Sequence, residues 1–185
     1  MRSAILGGAI IGAAAALLAA VGSGPTHAAA AEDLSASCQS PGWDMGGEIS
    51  AFKSTAENVA SGSALGALPP LESGVLYVLK LRRQTEVNYP QASNKKSLVQ
   101  SPLGGMTSFA VDKPGVYRIT VDSPLWIDVV GPAGTIAPSA FMGWHDCRLF
   151  RKSVEYALQG PETYVLQVSE AMPELVRIVI EPAKH

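Results

Sequence analysis

The sequence predicts an exported all-β protein, an antiparallel β-sandwich of the jelly-roll-like or immunoglobulin-like type with a short N-terminal helical or irregular segment. Three observations predict it. The chain opens with a long apolar run, apolar and polar residues alternate from Val75 almost to the C-terminal end, and turn-forming residues interrupt the alternation at short intervals. Six or seven short strands without a long helical period between them are typical of a sandwich.

Residues 1–31 have the order of a secretory signal peptide. Arg2 is followed by an apolar run of Ala, Ile, Leu and Gly from Ala4 to Val21, and then by a polar break and small residues. We expect cleavage between Ala28 and Ala31, which leaves a periplasmic or secreted mature chain. A retained membrane anchor is the alternative, but Ala and Gly contribute little to insertion, so we expect no membrane span after cleavage.

The composition of the mature chain excludes several classes of function. Removing residues 1–31 takes away Arg2 and no acidic side chain, so the 14 basic and 16 acidic side chains become 13 and 16, a net charge of −3. Because no basic stripe is present, nucleic acid is not an expected partner. The sequence has no G-x-S-x-G, H-E-x-x-H or P-loop motif. We therefore predict no catalytic residues, no enzymatic activity and no cofactor.

Two cysteines, Cys38 and Cys147, lie in the predicted mature chain. A pair of cysteines in an exported protein most often forms a disulfide. Closing a loop of 109 positions stabilises a fold by about 4–5 kcal/mol in the chain-entropy model. This bridge would hold the N-terminal segment against the C-terminal half. A thiolate metal site or a nucleophile is the alternative, although the pair lacks C-x-x-C spacing.

The mature chain divides into residues 32–74, an N-terminal segment and linker, and residues 75–185, the sandwich, which together form one folded unit. Apolar spacing predicts a short helix over 46–59, with an irregular segment as the alternative. Gly, Ser, Ala and Pro between residues 60 and 74 predict a loop. The expected strands cover about 75–81, 106–111, 115–122, 125–131, 151–158, 163–169 and 175–181.

Strict alternation of side chains predicts which strand residues are buried. Tyr117, Ile119 and Val121 should face the core, while Arg118, Thr120 and Asp122 should face solvent. The same contrast is expected between Leu166 and Gln167.

Asp128 lies between Ile127 and Val129 in an otherwise apolar strand. Its carboxylate is expected either on the solvated face or buried with a partner such as Arg118 or Lys152, and a structural ion pair is favoured over a catalytic acid.

The loop over residues 141–148 is the strongest local candidate for a ligand or metal site. His145 supplies an imidazole nitrogen, Asp146 a carboxylate and Met142 a thioether. The alternative, which we favour, is a structural loop pinned by Cys147 with Trp144 and Phe141 packed beneath it, because a stable metal site usually needs three or four ligands. Aromatic stacking on a sugar is a further possibility, for which the candidates are Trp43, Trp126 and Trp144.

Residues 107–181 resemble the β-sandwich of bacterial pre-peptidase C-terminal domains. The resemblance rests on strands that begin with a turn and a tyrosine, at residues 114–121 and 161–168, and on the strands at 126–130 and 154–158. It implies an ancillary or binding domain without catalytic residues of its own.

These observations together predict a non-enzymatic accessory or binding protein of the bacterial cell envelope. Its partner would be another envelope protein or a cell-surface ligand. Two alternatives stay open: a periplasmic metal-handling protein that uses the loop at residues 142–146, and a carbohydrate-binding module that uses the tryptophans.

Overall fold

Two β-sheets face each other in the computed structural model, which describes residues 34–91 and 99–185. The predicted signal peptide, residues 1–31, lies outside the described residues. Within the described ranges no helix is long and apolar enough to cross a membrane. The elements are α1 (Gly46–Phe52), β1 (Glu57–Ala60), β2 (Pro70–Leu71), β3 (Tyr77–Lys80), β4 (Arg82–Arg83), β5 (Leu103–Val111), β6 (Gly115–Val121), β7 (Trp126–Gly131), β8 (Gly134–Ile136), β9 (Ala140–Gly143), β10 (Lys152–Leu158), β11 (Glu162–Ala171) and β12 (Leu175–Pro182), with short 3-10 turns at Leu65–Ala67 and Gln84–Glu86.

The strand order defines a β-sandwich-like fold. Sheet 1 has the order β1-β3-β12-β6-β10-β9, and sheet 2 has the order β2-β5-β11-β7-β8, with β4 also paired to β5. Most neighbours are antiparallel, but β1 runs parallel to β3 and β2 runs parallel to β5. The predicted all-β class is therefore confirmed, whereas purely antiparallel pairing is not observed. Both parallel pairs join strands separated by long connections, as parallel pairing requires.

Most predicted strands lie within a few residues of their expected positions, including β6, β7, β10 and β12. The predicted helix over residues 46–59 is shorter, because α1 ends at Phe52. Ser54 competes with the next helical turn: its backbone N–H and its hydroxyl both donate to the Ala51 carbonyl. The strands β1, β2, β4, β8 and β9 have no counterpart among the expected strands.

The main core lies between the two sheets. Ile119 of β6, Leu166 of β11 and Ile178 of β12 are all completely buried there. Tyr117 and Val121 share the face of Ile119, so the predicted alternation is correct for this side of the strand.

The opposite face of sheet 1 is also buried, which the sequence did not predict. Residues 38–52 and 144–150, here called the outer layer, cover it with a second apolar cluster. Thr120 is 0 % exposed there and shares a 2.8 Å hydrogen bond with the Ser153 hydroxyl. Gln167 is likewise buried, on sheet 2, where its amide donates to the Gln91 carbonyl. The expectation that Arg118, Thr120 and Gln167 face solvent was wrong, because polar residues can be buried when they are hydrogen-bonded.

The disulfide between Cys38 and Cys147 is confirmed, with Cα atoms 4.7 Å apart. Both cysteines belong to the outer layer, so the bridge joins its two segments. Ser37 adds a hydrogen bond beside it, because its hydroxyl donates to the Asp146 carbonyl over 2.7 Å.

A buried arginine links the outer layer to sheet 1. Arg118 of β6 is 0 % exposed; its guanidinium lies 2.8 Å from Glu155 Oε1 on β10 and 3.0 Å from Glu48 Oε1 on α1. The guanidinium carbon also lies 4.7 Å from the centre of the Trp43 ring. Burial raises the pKa of Glu48, although a backbone hydrogen bond and Arg118 act in the opposite direction. Arg118, Glu48 and Glu155 therefore form a buried ion cluster on the outer face of sheet 1.

Candidate functional site

A cleft of about 480 Å³ opens at one edge of the sandwich, between β7 of sheet 2 and the β9–β10 pair of sheet 1. We call it the edge cleft. Its size lies within the range of about 300–1,000 Å³ that is typical of small-molecule sites. Its lining is formed by Pro124, Leu125, Trp126, Ile127, Asp128, Pro138, Phe141, Met142, Gly143, His145, Arg151, Lys152, Val154 and Tyr156.

Two unpaired strand edges border the cleft. In the described part of the chain, β9 is the last strand of sheet 1 on one side of the cleft and pairs only with β10. On the other side, β11 pairs with β7 along residues 126–130, but β8 pairs with the opposite edge of β7 only at residues 129–131, so that edge is open at residues 126–128 among the described residues. The cleft exists because both sheets end at this edge.

Phe141 marks the cleft as an incompletely filled part of the core. It lies directly opposite Val154 in the β9–β10 ladder, and directly opposed residues project from the same face of a sheet. Val154 is buried in the main core, yet Phe141 is 73 % exposed. An aromatic side chain therefore stands on the core-facing side of sheet 1 where sheet 2 leaves it uncovered.

Side chains from sheet 1 occupy the free backbone acceptors of β7 and of the residues before it. Lys152 Nζ donates to the Leu125 carbonyl over 3.0 Å, and the Tyr156 hydroxyl donates to the Ile127 carbonyl over 2.9 Å. Burial raises the pKa of Tyr156, so the hydroxyl keeps the proton it donates. An extended peptide that paired with this edge would need the same acceptors.

Trp126, Asp128 and Lys152 form a polar group at the sheet 2 wall of the cleft. Trp126 Nε1 donates to Asp128 Oδ1 over 3.0 Å, and Lys152 Nζ lies 4.9 Å from the centre of the Trp126 ring. Burial raises the pKa of Asp128, while the Trp126 hydrogen bond and the charge of Lys152 lower it. Of the two partners expected for Asp128, Lys152 interacts with it electrostatically, whereas Arg118 pairs with the two glutamates described above.

The candidate ligands of the 142–146 loop have different surroundings. Met142 packs against the outer layer, and Trp144 is buried in it with its indole N–H donating to Ser153 over 2.9 Å. His145 is exposed at the cleft, and Asp146 is exposed. Among the described residues no three His, Cys, Asp or Glu side chains lie close enough together to hold a metal ion.

The three tryptophans proposed as stacking platforms lie in two different parts of the structure. Trp43 contacts Trp144 edge to face, with ring centres 6.1 Å apart, and both belong to the outer layer. Trp126 lines the edge cleft.

Sequence reasoning missed Phe141 and Tyr156 as cleft residues. Phe141 was expected to pack beneath the loop, and Tyr156 looked like an ordinary strand residue. Their roles depend on which strands end at the edge, and no local pattern encodes that. Arg151 was missed for the same reason; it is exposed beside the cleft and donates to the His145 carbonyl over 2.6 Å.

Replacing Asp128 with Asn tests the electrostatics of the cleft. Because burial raises the pKa of Asp128, the folded chain holds this proton more tightly than the unfolded chain. The resulting stabilisation is present below the unfolded pKa, about 3.9, and is lost as pH rises through the folded pKa. As pH rises above about 4, the free energy of unfolding should therefore fall less in Asp128→Asn than in the wild type. Urea unfolding at a series of pH values measures this difference.

The matched control for this prediction is Asp112→Asn, at an exposed position in the turn between β5 and β6. It should keep the pH dependence of the wild type. A wild-type pH dependence in Asp128→Asn as well would contradict the proposed effect of burial on this carboxylate.

Comparison of the chain with known protein families finds no family that matches it. Comparison with curated proteins finds no significant match either. The resemblance of residues 107–181 to pre-peptidase C-terminal domains therefore stays a prediction, and the function has to be argued from the geometry of the edge cleft.

Proposed function

We propose that this chain is a non-enzymatic, exported binding protein of the bacterial cell envelope and that the edge cleft is its ligand site. The observation that carries the proposal is Phe141, an aromatic side chain on the core-facing side of a sheet that is nevertheless 73 % exposed. Large apolar side chains that line a concave surface are typical of binding sites. A ligand in the cleft would cover the apolar surface that sheet 2 leaves open.

The polar groups of the cleft support binding rather than catalysis. The Tyr156 hydroxyl is engaged by the Ile127 carbonyl, and the Asp128 carboxylate accepts from the Trp126 indole. A nucleophile with an adjacent base, as covalent catalysis requires, is not formed by these groups. Their hydrogen bonds fix the wall of the cleft.

The strand order supports a jelly-roll type of sandwich. The chain alternates between the two sheets from β5 to β7 and again from β10 to β12. Within the two larger sheets, the strands β3-β12-β6-β10 and β5-β11-β7-β8 form two runs of four, the strand number of a jelly roll, with β1, β9, β2 and β4 added beside them. In the immunoglobulin type, more of the consecutive strands stay in one sheet. This favours the first of the two sandwich types predicted from the sequence and agrees with the proposed resemblance.

A carbohydrate is the second candidate ligand, because Trp126 lines the cleft. However, Lys152 Nζ lies 4.9 Å from the centre of the Trp126 ring. The cation occupies one face of the indole that a sugar ring would stack on, so this candidate has less support.

Export is the part of the proposal that depends on the N-terminal sequence and on the disulfide. The apolar run after Arg2 is typical of a signal peptide, and disulfides persist in oxidising compartments. Intact mass of protein from the periplasmic or culture fraction should show loss of about 28–31 N-terminal residues, as the cleavage rule predicts. Recovery of the full-length chain from the membrane fraction would contradict export of a free protein.

Fluorescence titration with N-phenyl-naphthylamine tests the ligand site, because this neutral dye emits strongly only in an apolar environment. We expect saturable binding to the wild type. Phe141→Asp should weaken binding by at least about tenfold, since covering a phenylalanine side chain stabilises by roughly 1.5–3 kcal/mol.

Met172→Asp is the matched control for Phe141→Asp. Met172 is 65 % exposed in the turn between β11 and β12, outside the cleft lining. The Met172→Asp variant should bind the dye as the wild type does. Equal loss in both variants, or full binding by Phe141→Asp, would contradict the assignment of the site to the edge cleft.

A further inference from the structure

We propose that the ligand of the edge cleft is a single-chain amphiphile, with an apolar chain between the sheets and an anionic carboxylate or phosphate head at the cleft mouth. This inference rests on the proposed function and specifies the chemistry of its ligand.

The inner part of the cleft selects for an apolar group. Ile127 and Val154 belong to the main core, and the cleft reaches both of them from the open edge. Phe141 and Pro138 extend the apolar surface outward on the side of sheet 1. A flexible alkyl chain can fill a channel of this kind and would remove these side chains from water.

The charges at the cleft select for an anion. Arg151 and Lys152 are adjacent in sequence and both line the cleft, whereas Asp128 is its one carboxylate within the described lining. The local charge is therefore positive on a chain whose net charge is negative. Lys152 donates to the Leu125 carbonyl and contributes its positive charge to the cleft. The Arg151 guanidinium is exposed and bonds the His145 carbonyl through one of its nitrogens.

The geometry of the β7 edge argues against an extended peptide as the occupant. A peptide strand would pair with the backbone of residues 125–127, and its N–H groups would need the carbonyls of Leu125 and Ile127. Both carbonyls already accept from side chains of β10. An alkyl chain makes no backbone hydrogen bonds, so it needs neither carbonyl.

Four ligands of equal chain length separate the contributions of chain and head. Displacement of N-phenyl-naphthylamine is measured with decanoate, decyl phosphate, decanol and decyltrimethylammonium, each below the concentration at which it forms micelles. We expect the two anions to bind at least about tenfold more tightly than decanol and decyltrimethylammonium, as one charge-assisted hydrogen bond would give.

Substitution of Arg151 locates the head group. Arg151→Gln should reduce the preference for decanoate over decanol by several-fold. Arg83→Gln is the matched control, because Arg83 is exposed on β4 and outside the cleft lining. It should keep the full preference, and an equal loss of preference in both variants would overturn the placement of the head at Arg151.

The remaining outcomes distinguish an error in the anionic head group from an error in the binding site itself. If all four ligands displace the dye equally, the anionic head is wrong while the apolar site stands. If none displaces it and Phe141→Asp binds the dye as the wild type does, the proposed function itself fails. Binding only to vesicles of phosphatidylglycerol, and not to monomeric decanoate or decyl phosphate, would overturn the proposal of a single-chain ligand.

Discussion

The buried guanidinium of Arg118 is the interaction on which the arrangement of the outer layer depends. It contacts Glu48 of α1 and Glu155 of β10, and it donates to the backbone carbonyls of Asp44 and Lys184 over 2.8 and 3.0 Å. One side chain of β6 thus binds the N-terminal segment, the neighbouring strand and the C-terminal end of the chain. A buried ion pair gives little net stability compared with well-packed apolar residues, but loss of one partner leaves an uncompensated charge inside the protein. This asymmetry favours a conformation in which the outer layer stays closed over sheet 1.

Closure of the outer layer also determines the geometry of the edge cleft. Met142, near the end of β9, packs against the outer layer, and Trp144, which follows β9 and belongs to that layer, donates to Ser153 of β10. Because side chains alternate along a strand, fixing Met142 on the outer face leaves Phe141 on the inner face. The disulfide at Cys147 holds the segment that follows. A structural layer on one side of sheet 1 therefore positions the candidate binding surface on the other side.

The sequence predicted the part of the fold that depends on local pattern. Alternation located β6 and β12 almost to the residue, and the exported context predicted the pairing of Cys38 with Cys147. The sequence did not predict burial or side-chain partners where these depend on segments that are distant along the chain. Thr120 has the polarity of a surface residue but is buried by the outer layer, and the partners of Arg118 lie on α1 and β10, so no spacing in the chain identifies them. The cleft was predicted only in part: Asp128, Lys152 and His145 were singled out individually, whereas the exposure of Phe141 follows from where two sheets end.

The role of the buried guanidinium can be measured as the free energy of unfolding of charge variants at the Arg118 cluster. We expect Arg118→Met to lose about 3–5 kcal/mol, because Glu48 and Glu155 stay buried without their cation. Adding Glu48→Gln and Glu155→Gln to this variant should recover much of the loss, since no unpaired charge is left, while Arg83→Met at the exposed β4 position should change stability by no more than about 0.5 kcal/mol. Urea unfolding monitored by tryptophan fluorescence measures all three variants. An Arg118→Met protein within about 1 kcal/mol of the wild type, or a triple variant less stable than the single one, would show that the outer layer does not depend on the buried guanidinium.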